Sequence, residues 1–393
     1  MNKAVGSSGV SSWAARVVLI IVALWVLVTV RYLVGIHPIE YYETEWLINY
    51  SAGFLRRGLP GELLLALCRA TNIAPAAAVL GLKLSLFAAF LAVLLSLAWQ
   101  RREWLGLAGA AFLLSNPLVR YYAGEGLGEK DTLAILLTMW HLWASSRPEI
   151  YLRRAFWPLA VGGLVLGLTH EGVTLFFWLP ANAFITWRAV GKRAGSLALY
   201  APAVLAVAVS VLFHGTQAQG EAMQRAWVQQ GAEIGPPGSS AMAYGIGLSI
   251  PESMNLIRTI TSVNSIGLFL CVSVPSALML YVLLRLNGGG WARWALGIAA
   301  FSVPLWIIGC DWNRWIALPA TLTAVIYLWM APGSINRLAV PRFWWIGAAF
   351  GLVVSVGSIN PMDRDYPLRR LAKTYLNGPA VVILRKVLHR ERH

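Results

Sequence analysis

Apolar residues in this chain occur as long unbroken runs rather than at alternate or helical-face positions, and short clusters of charge, proline and glycine separate the runs. Segments that are apolar all round predict helices buried in a large core or in lipid. The runs fall at 17–36, 76–99, 104–122, 132–145, 156–168, 172–187, 195–214, 263–284, 292–309, 315–331 and 343–358. Crossing a hydrocarbon core of about 30 Å takes about 20 such residues in a helix. The pattern therefore predicts an all-α, polytopic membrane protein with about 11 transmembrane helices.

Two of the runs could be one. Joining 156–168 to 172–187 gives a helix of about 31 residues, roughly 46 Å long, and puts Arg153-Arg154 and Lys192-Arg193 on opposite sides. Two helices meeting at His170-Glu171 avoid both problems. The first run, 17–36, is longer than the apolar stretch of a signal peptide and reads as a retained membrane helix.

Composition agrees with this reading. Hydrophobic residues make up 58% of the chain and charged residues 12%, which excludes a string of ordinary soluble domains. The net charge of +15 would suggest a nucleic-acid partner in a soluble protein. Here it reflects basic loops that stay on the inner side of a membrane. With the N-terminus inside, the inner loops carry 14 basic residues against only Glu103 and Glu149. Twelve acidic residues fall on the outer side. The expected location is a bacterial inner membrane, with a site facing the periplasm or exterior and no nucleic acid involved. We read residues 1–393 as a single membrane domain with a first outer loop at 37–75 and a long outer loop at 215–262. The basic tail, 359–393, ends outside against the rule; it is either an interfacial helix or the sign of one miscounted crossing. Cys68, Cys271 and Cys310 are far apart and lie in or beside apolar runs, as packing residues do.

Four polar constellations remain, all on the outer side. The first loop has Trp46, Leu47, Tyr50 and Phe54 at helical spacing, which predicts an amphipathic helix lying on the membrane surface. It also carries Glu40, Glu43 and Glu45, followed by Arg56-Arg57 beside Gly58 and Gly61. Either this is a solvated loop with basic anchors, or a carboxylate base stands beside a phosphate clamp, because a guanidinium fork matches phosphate oxygens. The second is G-E-G-L-G-E-K-D at 124–131, which follows a helix rather than a strand and so is no dinucleotide fingerprint. It is either a polar turn with Asp131 and Thr132 at a helix start, or a site presenting Glu129, Lys130 and Asp131. Glu129 and Asp131 are the candidate metal ligands, since hard oxygens suit Mg²⁺ or Mn²⁺. The third is His170-Glu171, where ionisable side chains near membrane depth default to function. The fourth is Asp311 with Arg314, in C-D-W-N-R-W, readable as a structural ion pair or as part of a site. Arg314 is expected to pair with Glu171, Asp311 or a bound phosphate.

This layout resembles the GT-C superfamily, the integral-membrane glycosyltransferases that use polyprenyl-phosphate-linked sugars. The resemblance rests on about the first 190 residues: an acidic first outer loop, a second acidic motif opening a later helix, and polar groups confined to one face. Glu40 precedes Gly53 by 13 residues, with Glu43 and Glu45 as near alternatives to it; Glu129 and Asp131, after Asn116-Pro117, match the second motif. This chain has Glu where the family has Asp in the first loop. The resemblance implies a catalytic set of Glu40, Glu43, Glu45, Asp131, His170 and Glu171. It implies donor-phosphate contacts from Arg56, Arg57, Lys130, Asp311 and Arg314, and a glycan or lipid-linked acceptor. The chain is also similar to polysaccharide polymerases of the Wzy and EpsG type, whose donor is an oligosaccharide diphosphate. A lipid-linked glycan flippase or transporter is the other class, disfavoured because no internal repeat is visible.

Overall fold

The computed structural model describes residues 44–100, 115–123, 128–191, 198–232, 246–260, 263–286, 289–308 and 311–330. Among the described residues the chain is all-helical, with no strand. In chain order the helices are α1 (Gly58–Thr71), α2 (Pro75–Gln100), the short α3 (Pro117–Arg120), α4 (Asp131–Ser145) and α5 (Tyr151–Thr169). Next comes α6, built from Glu171–Val173, a π-helical stretch Thr174–Trp178 and Leu179–Val190. Then follow α7 (Ala201–Leu212), α8 (Gln217–Gln229), α9 (Ile250–Ile260), α10 (Val263–Leu286), α11 (Gly289–Phe301), α12 (Val303–Ile308) and α13 (Trp312–Met330).

Most described runs became helices where the pattern puts them, and the break at His170 is real: its backbone is extended (φ −158°, ψ 90°) between α5 and α6. The number of crossings does not carry over. Among the described residues α2 alone is long and apolar enough to span a membrane, or two spans if α7 and α8, bent by 102°, count as one. For α4 and α5 the reason is length and polarity at the ends. Helix α4 has 15 residues, about 22 Å at 1.5 Å per residue, and α5 carries Arg153 and Arg154 in its first turn. The predicted spans 17–36 and 343–358, residues 104–114 of the third, and the basic tail lie outside the described residues.

Helix α13 is the axis of the bundle. It is buried without interruption from Ala317 to Leu328, so that stretch has no exposed side, and α3, α4 and α11 pack around it. Helices α5 and α7 pack closely through glycine. A Cβ at Gly167 would stand 2.7 Å from the Ala206 Cβ and 3.1 Å from the Ala203 carbonyl, and one at Gly163 would meet Ala203 and Trp178. A buried network also ties α4 to α6, α5 and the turn before α7. His141 Nδ1 meets Asn182 Oδ1 at 2.7 Å, and its Nε2 meets the Tyr151 hydroxyl. Tyr151 continues to Thr186 and Tyr200. Because these polar groups satisfy one another, they fix the relative register of the helices without leaving a buried donor unmatched.

Gly167→Val is therefore expected to destabilise by about 1–3 kcal/mol, the usual effect of forcing methyl groups into a packed interface. Gly81→Ala, where an added Cβ meets nothing within 4 Å, should leave stability equal or slightly higher. Thermal unfolding of both in the same detergent checks this; equal midpoints would mean that the glycine contact between α5 and α7 does not hold the pair together.

The first outer loop departs from expectation. Glu45–Leu47 form one 3-10 turn, and the helix comes later, as α1. Trp46 and Leu47, predicted to face a membrane surface, are instead fully buried in the protein. They pack with Leu64, Leu65, Val79, Leu86, Met223 and Trp227. Tyr50 is only partly buried and Phe54 is exposed, so of the predicted face only Trp46 and Leu47 belong to the core, covered by α8 from the long outer loop. Thr216 and Gln219 start α8 with a reciprocal capping box. Its Gln219 side chain then donates to the Ala52 carbonyl at 3.1 Å.

Candidate functional site

Tight turns bring the first loop to the site. The backbone of Ile48 passes so close to α1 that a Cβ at Gly61 would lie 2.1 Å from the Ile48 carbonyl oxygen, and one at Gly58 would overlap the Tyr50 ring. Arg57, just before α1, sits in the left-handed region at φ 64°, a conformation that non-glycine residues rarely hold and that costs about 1–3 kcal/mol. That turn directs its guanidinium inward.

Arg57 grips Glu171 with two nearly parallel bonds, Nε to Oε2 at 3.0 Å and Nη2 to Oε1 at 3.0 Å. Arg56 reaches the same carboxylate at 3.5 Å. Burial raises the proton affinity of Glu171, but Arg57 and Arg56 outweigh it and hold the carboxyl down at about 2.

A second knot surrounds Arg314, in the first turn of α13. Its Nη2 and Nε donate to Asp131 at 2.7 and 3.1 Å. Nε also stands 3.0 Å from Glu129, and Nη1 lies 3.3 Å from Asp311 and 3.7 Å from Glu45. The Tyr122 hydroxyl donates to Asp131 at 2.9 Å and that of Tyr121 to Glu129 at 3.2 Å. One guanidinium cannot neutralise four carboxylates. Burial, opposed by Arg314 and reinforced by Asp131 and Glu45, pushes Glu129 up to about 8, and burial also raises Asp311.

Glu45 joins the two knots. Its carboxylate lies 3.9 Å from Arg57 and 3.7 Å from Arg314, too far for the short bonds that Asp131 and Glu171 accept. Lys130 sits 5.8 Å from the centre of the Trp46 ring, and its ammonium points to the Arg57 carbonyl at 3.5 Å. The Trp46 indole N–H is anchored on the Gly128 carbonyl at 3.1 Å. His170 accepts the Val173 N–H through Nδ1 and brings Nε2 within 3.9 Å of Asp131. Burial and the surrounding Arg57, Arg314, Lys130 and Arg56 hold this imidazole well below its ordinary range, so it is neutral.

The predicted residues therefore converge. Glu45, Arg56, Arg57, Glu129, Lys130, Asp131, His170, Glu171, Asp311 and Arg314 form one cluster drawn from four distant stretches of sequence. Arg314 pairs with Asp311 as expected, and with Asp131, which the sequence reading did not anticipate. Glu171 turns to Arg56 and Arg57 instead. Glu40 and Glu43 lie outside the described residues, as does Glu125 in the second loop. Lys130, not Asp131, is the residue before α4, and no side chain caps that helix start. The metal expectation does not fit. Among the described residues no three His, Cys, Asp or Glu side chains are grouped to hold an ion, and Arg314 takes the place between Glu129 and Asp131 that a cation would need. Tyr121 and Tyr122 were missed; two hydroxyl-bearing rings directly before a Gly-rich acidic loop were their signal.

The cluster is open on one side. The Arg56, Arg57 and Asp311 side chains keep about a fifth of their surface exposed, whereas Arg314 and His170 keep about 1%. No family model, curated protein or solved structure matches this chain.

Lys130 gives a pH test. Burial pushes it down to about 7 from 10.5, with Glu45 opposing and Arg57 adding to the fall. Between those values the unfolded chain holds a proton that the folded chain lacks, so native stability rises with pH there. Lys130→Met is expected to be more stable than the native chain at pH 6, with an advantage that shrinks as the pH passes from about 7 towards 10.5. A difference in unfolding midpoint that stays constant from pH 6 to 10 would show that this ammonium is not desolvated.

Proposed function

We propose that this chain is an integral-membrane glycosyltransferase of the kind its layout resembles, moving a sugar from a polyprenyl-phosphate-linked donor to a glycan or lipid-linked acceptor. Its place is the bacterial inner membrane, with the site on the outer face. The observation that carries this reading is the cluster itself: five carboxylates and four cations drawn to one spot, its edge accessible at Arg56, Arg57 and Asp311. A chain with so few charged residues does not gather them without a use, because desolvating each ion costs several kcal/mol.

The chemistry needs two things that the cluster holds. A general base takes the proton of the acceptor hydroxyl as its oxygen bonds to the anomeric carbon; Glu45, between two arginines but gripped by neither, fills that role. The bond from the anomeric carbon to the phosphate oxygen breaks, and its electron pair leaves on the lipid phosphate. Arg57 and Arg56, at the accessible edge, take up that charge in bidentate contacts. Asp131, by contrast, is saturated by Arg314 and Tyr122 and serves to hold α4 against α13.

The test is sugar transfer by the purified protein in lipid discs. A radiolabelled sugar on a polyprenyl-phosphate carrier should move to a hydroxyl-bearing lipid or glycan acceptor, releasing the lipid phosphate. A protein that leaves a range of such carriers untouched, while its fold is intact, overturns the reading.

A further inference from the structure

The cluster contains a built-in competitor for the ligand it is read as binding. Glu171 presents two oxygens to the Arg57 fork at 3.0 Å each, the geometry a phosphate would use, and Arg56 closes on the same carboxylate. These two arginines are the accessible cations, with 20% of each side chain exposed, while Arg314 is sealed at 1%. An anion arriving from outside meets Arg56 and Arg57 first and finds them already engaged.

Glu171 also stands at a break in regular helix. It follows the extended His170, precedes Gly172, and leads within three residues into the π-helical stretch Thr174–Trp178. Such stretches carry strained hydrogen bonding and gather at functional sites. Arg57 itself is held in the left-handed region, a strain that persists only where the surroundings over-determine it. Arg57 thus sits on irregular backbone, and Glu171 opens a helix that follows an extended residue and soon turns π-helical.

We propose that Glu171 is an internal stand-in for a phosphate group, released from Arg56 and Arg57 when a phosphate-bearing ligand binds. This rests on the reading of Arg56 and Arg57 as the donor clamp, but it concerns anion binding and not sugar transfer. The exchange keeps the clamp neutralised and folded when empty. It also sets a threshold: only an anion offering two or more oxygens in one plane, or carrying more charge than a carboxylate, displaces Glu171.

The two roles open to Glu171 predict opposite signs. If it competes with the ligand, Glu171→Gln frees the clamp, and inorganic phosphate should bind about tenfold more tightly by calorimetry, as loss of one charge-assisted competitor implies. The empty variant should also unfold at lower temperature than the native chain, and phosphate should restore its midpoint. Glu171→Asp, too short for both bonds, should tighten binding as well. Tightening with inorganic phosphate alone identifies a soluble phosphate as the ligand; tightening also with polyprenyl phosphate in lipid discs identifies a lipid-borne one. If phosphate binding is weaker or unchanged in both variants, Glu171 only braces the arginines and the proposal is overturned. Should neither variant fold, infrared difference spectra of the native protein decide: added phosphate must shift a glutamate carboxylate band, and no shift overturns the exchange. None of these readouts uses a sugar, so failure of glycosyl transfer leaves them intact.

Discussion

Arg314→Leu is expected to lose about 3–5 kcal/mol of folding stability, the range seen when one member of a buried ion cluster is removed. That is a large part of the 5–15 kcal/mol, roughly, that holds an ordinary domain together. The loss follows from the count of partners. Arg314 is the cation shared by Glu45, Glu129, Asp131 and Asp311, with 1% of its side chain exposed. Leucine therefore removes the common partner of four acidic groups, of which Glu45 keeps Arg57 at 3.9 Å and Asp311 keeps some contact with solvent. Arg314→Lys keeps the charge but cannot bond Asp131 through two nitrogens, and should fall between leucine and the native residue. Adding Asp131→Asn to Arg314→Leu should recover part of the loss, because the two side chains are in contact and their effects do not add. Denaturant unfolding in one detergent measures all three. A leucine variant within about 0.5 kcal/mol of the native protein, the scatter of ordinary surface changes, would mean that water reaches these carboxylates and the cluster is not the core of the site.

Glu45→Gln should show the reverse profile, an intact fold with turnover lowered by about 10²–10⁴, the usual contribution of a general base. Glutamine matches the side chain in shape. The original carboxylate is held only by ion pairs at 3.7 and 3.9 Å, so little cohesion goes with it. Transfer kinetics on the purified variant would give the rate, and its unfolding midpoint the control. Undiminished turnover would take the role of base from Glu45 and leave Glu40 or Glu43 of the same loop to be tested in its place. Arg314 and Glu45 thus separate what the cluster needs in order to exist from what it needs in order to react.

The helices themselves were legible in the linear pattern. Apolar runs bounded by charge and proline give α2, α4, α6, α10 and α13 to within about three residues and α5 and α7 to within about six, because helix formation in an apolar setting depends on local composition. The run 292–309 is instead broken at Ser302 into α11 and α12. The break at His170-Glu171 was legible for a geometric reason, since a single helix there is too long for a membrane and puts its flanking arginines on the wrong sides. The membership of the charged cluster was legible too, at Glu45, Arg56, Arg57, Glu129, Lys130, Asp131, His170, Glu171, Asp311 and Arg314. Charge is expensive away from water, so ionisable residues beside apolar runs had to gather.

Which charge meets which was decided only by the tertiary structure. Arg314 lies 183 residues from Asp131, and no spacing rule links them; the packing of α4 and α3 against the buried α13 brings them to 2.7 Å. The same packing leaves Glu171 to Arg57, held by a left-handed turn that the neighbouring glycines make possible but do not specify. Trp46 and Leu47 show the limit most plainly. Their helical spacing fits a helix on a lipid surface and a 3-10 turn under a covering helix equally well, and only the arrival of Met223 and Trp227 from α8 decides for the core. Sequence periodicity records that a face is apolar, while what that face is buried against depends on segments that are distant along the chain.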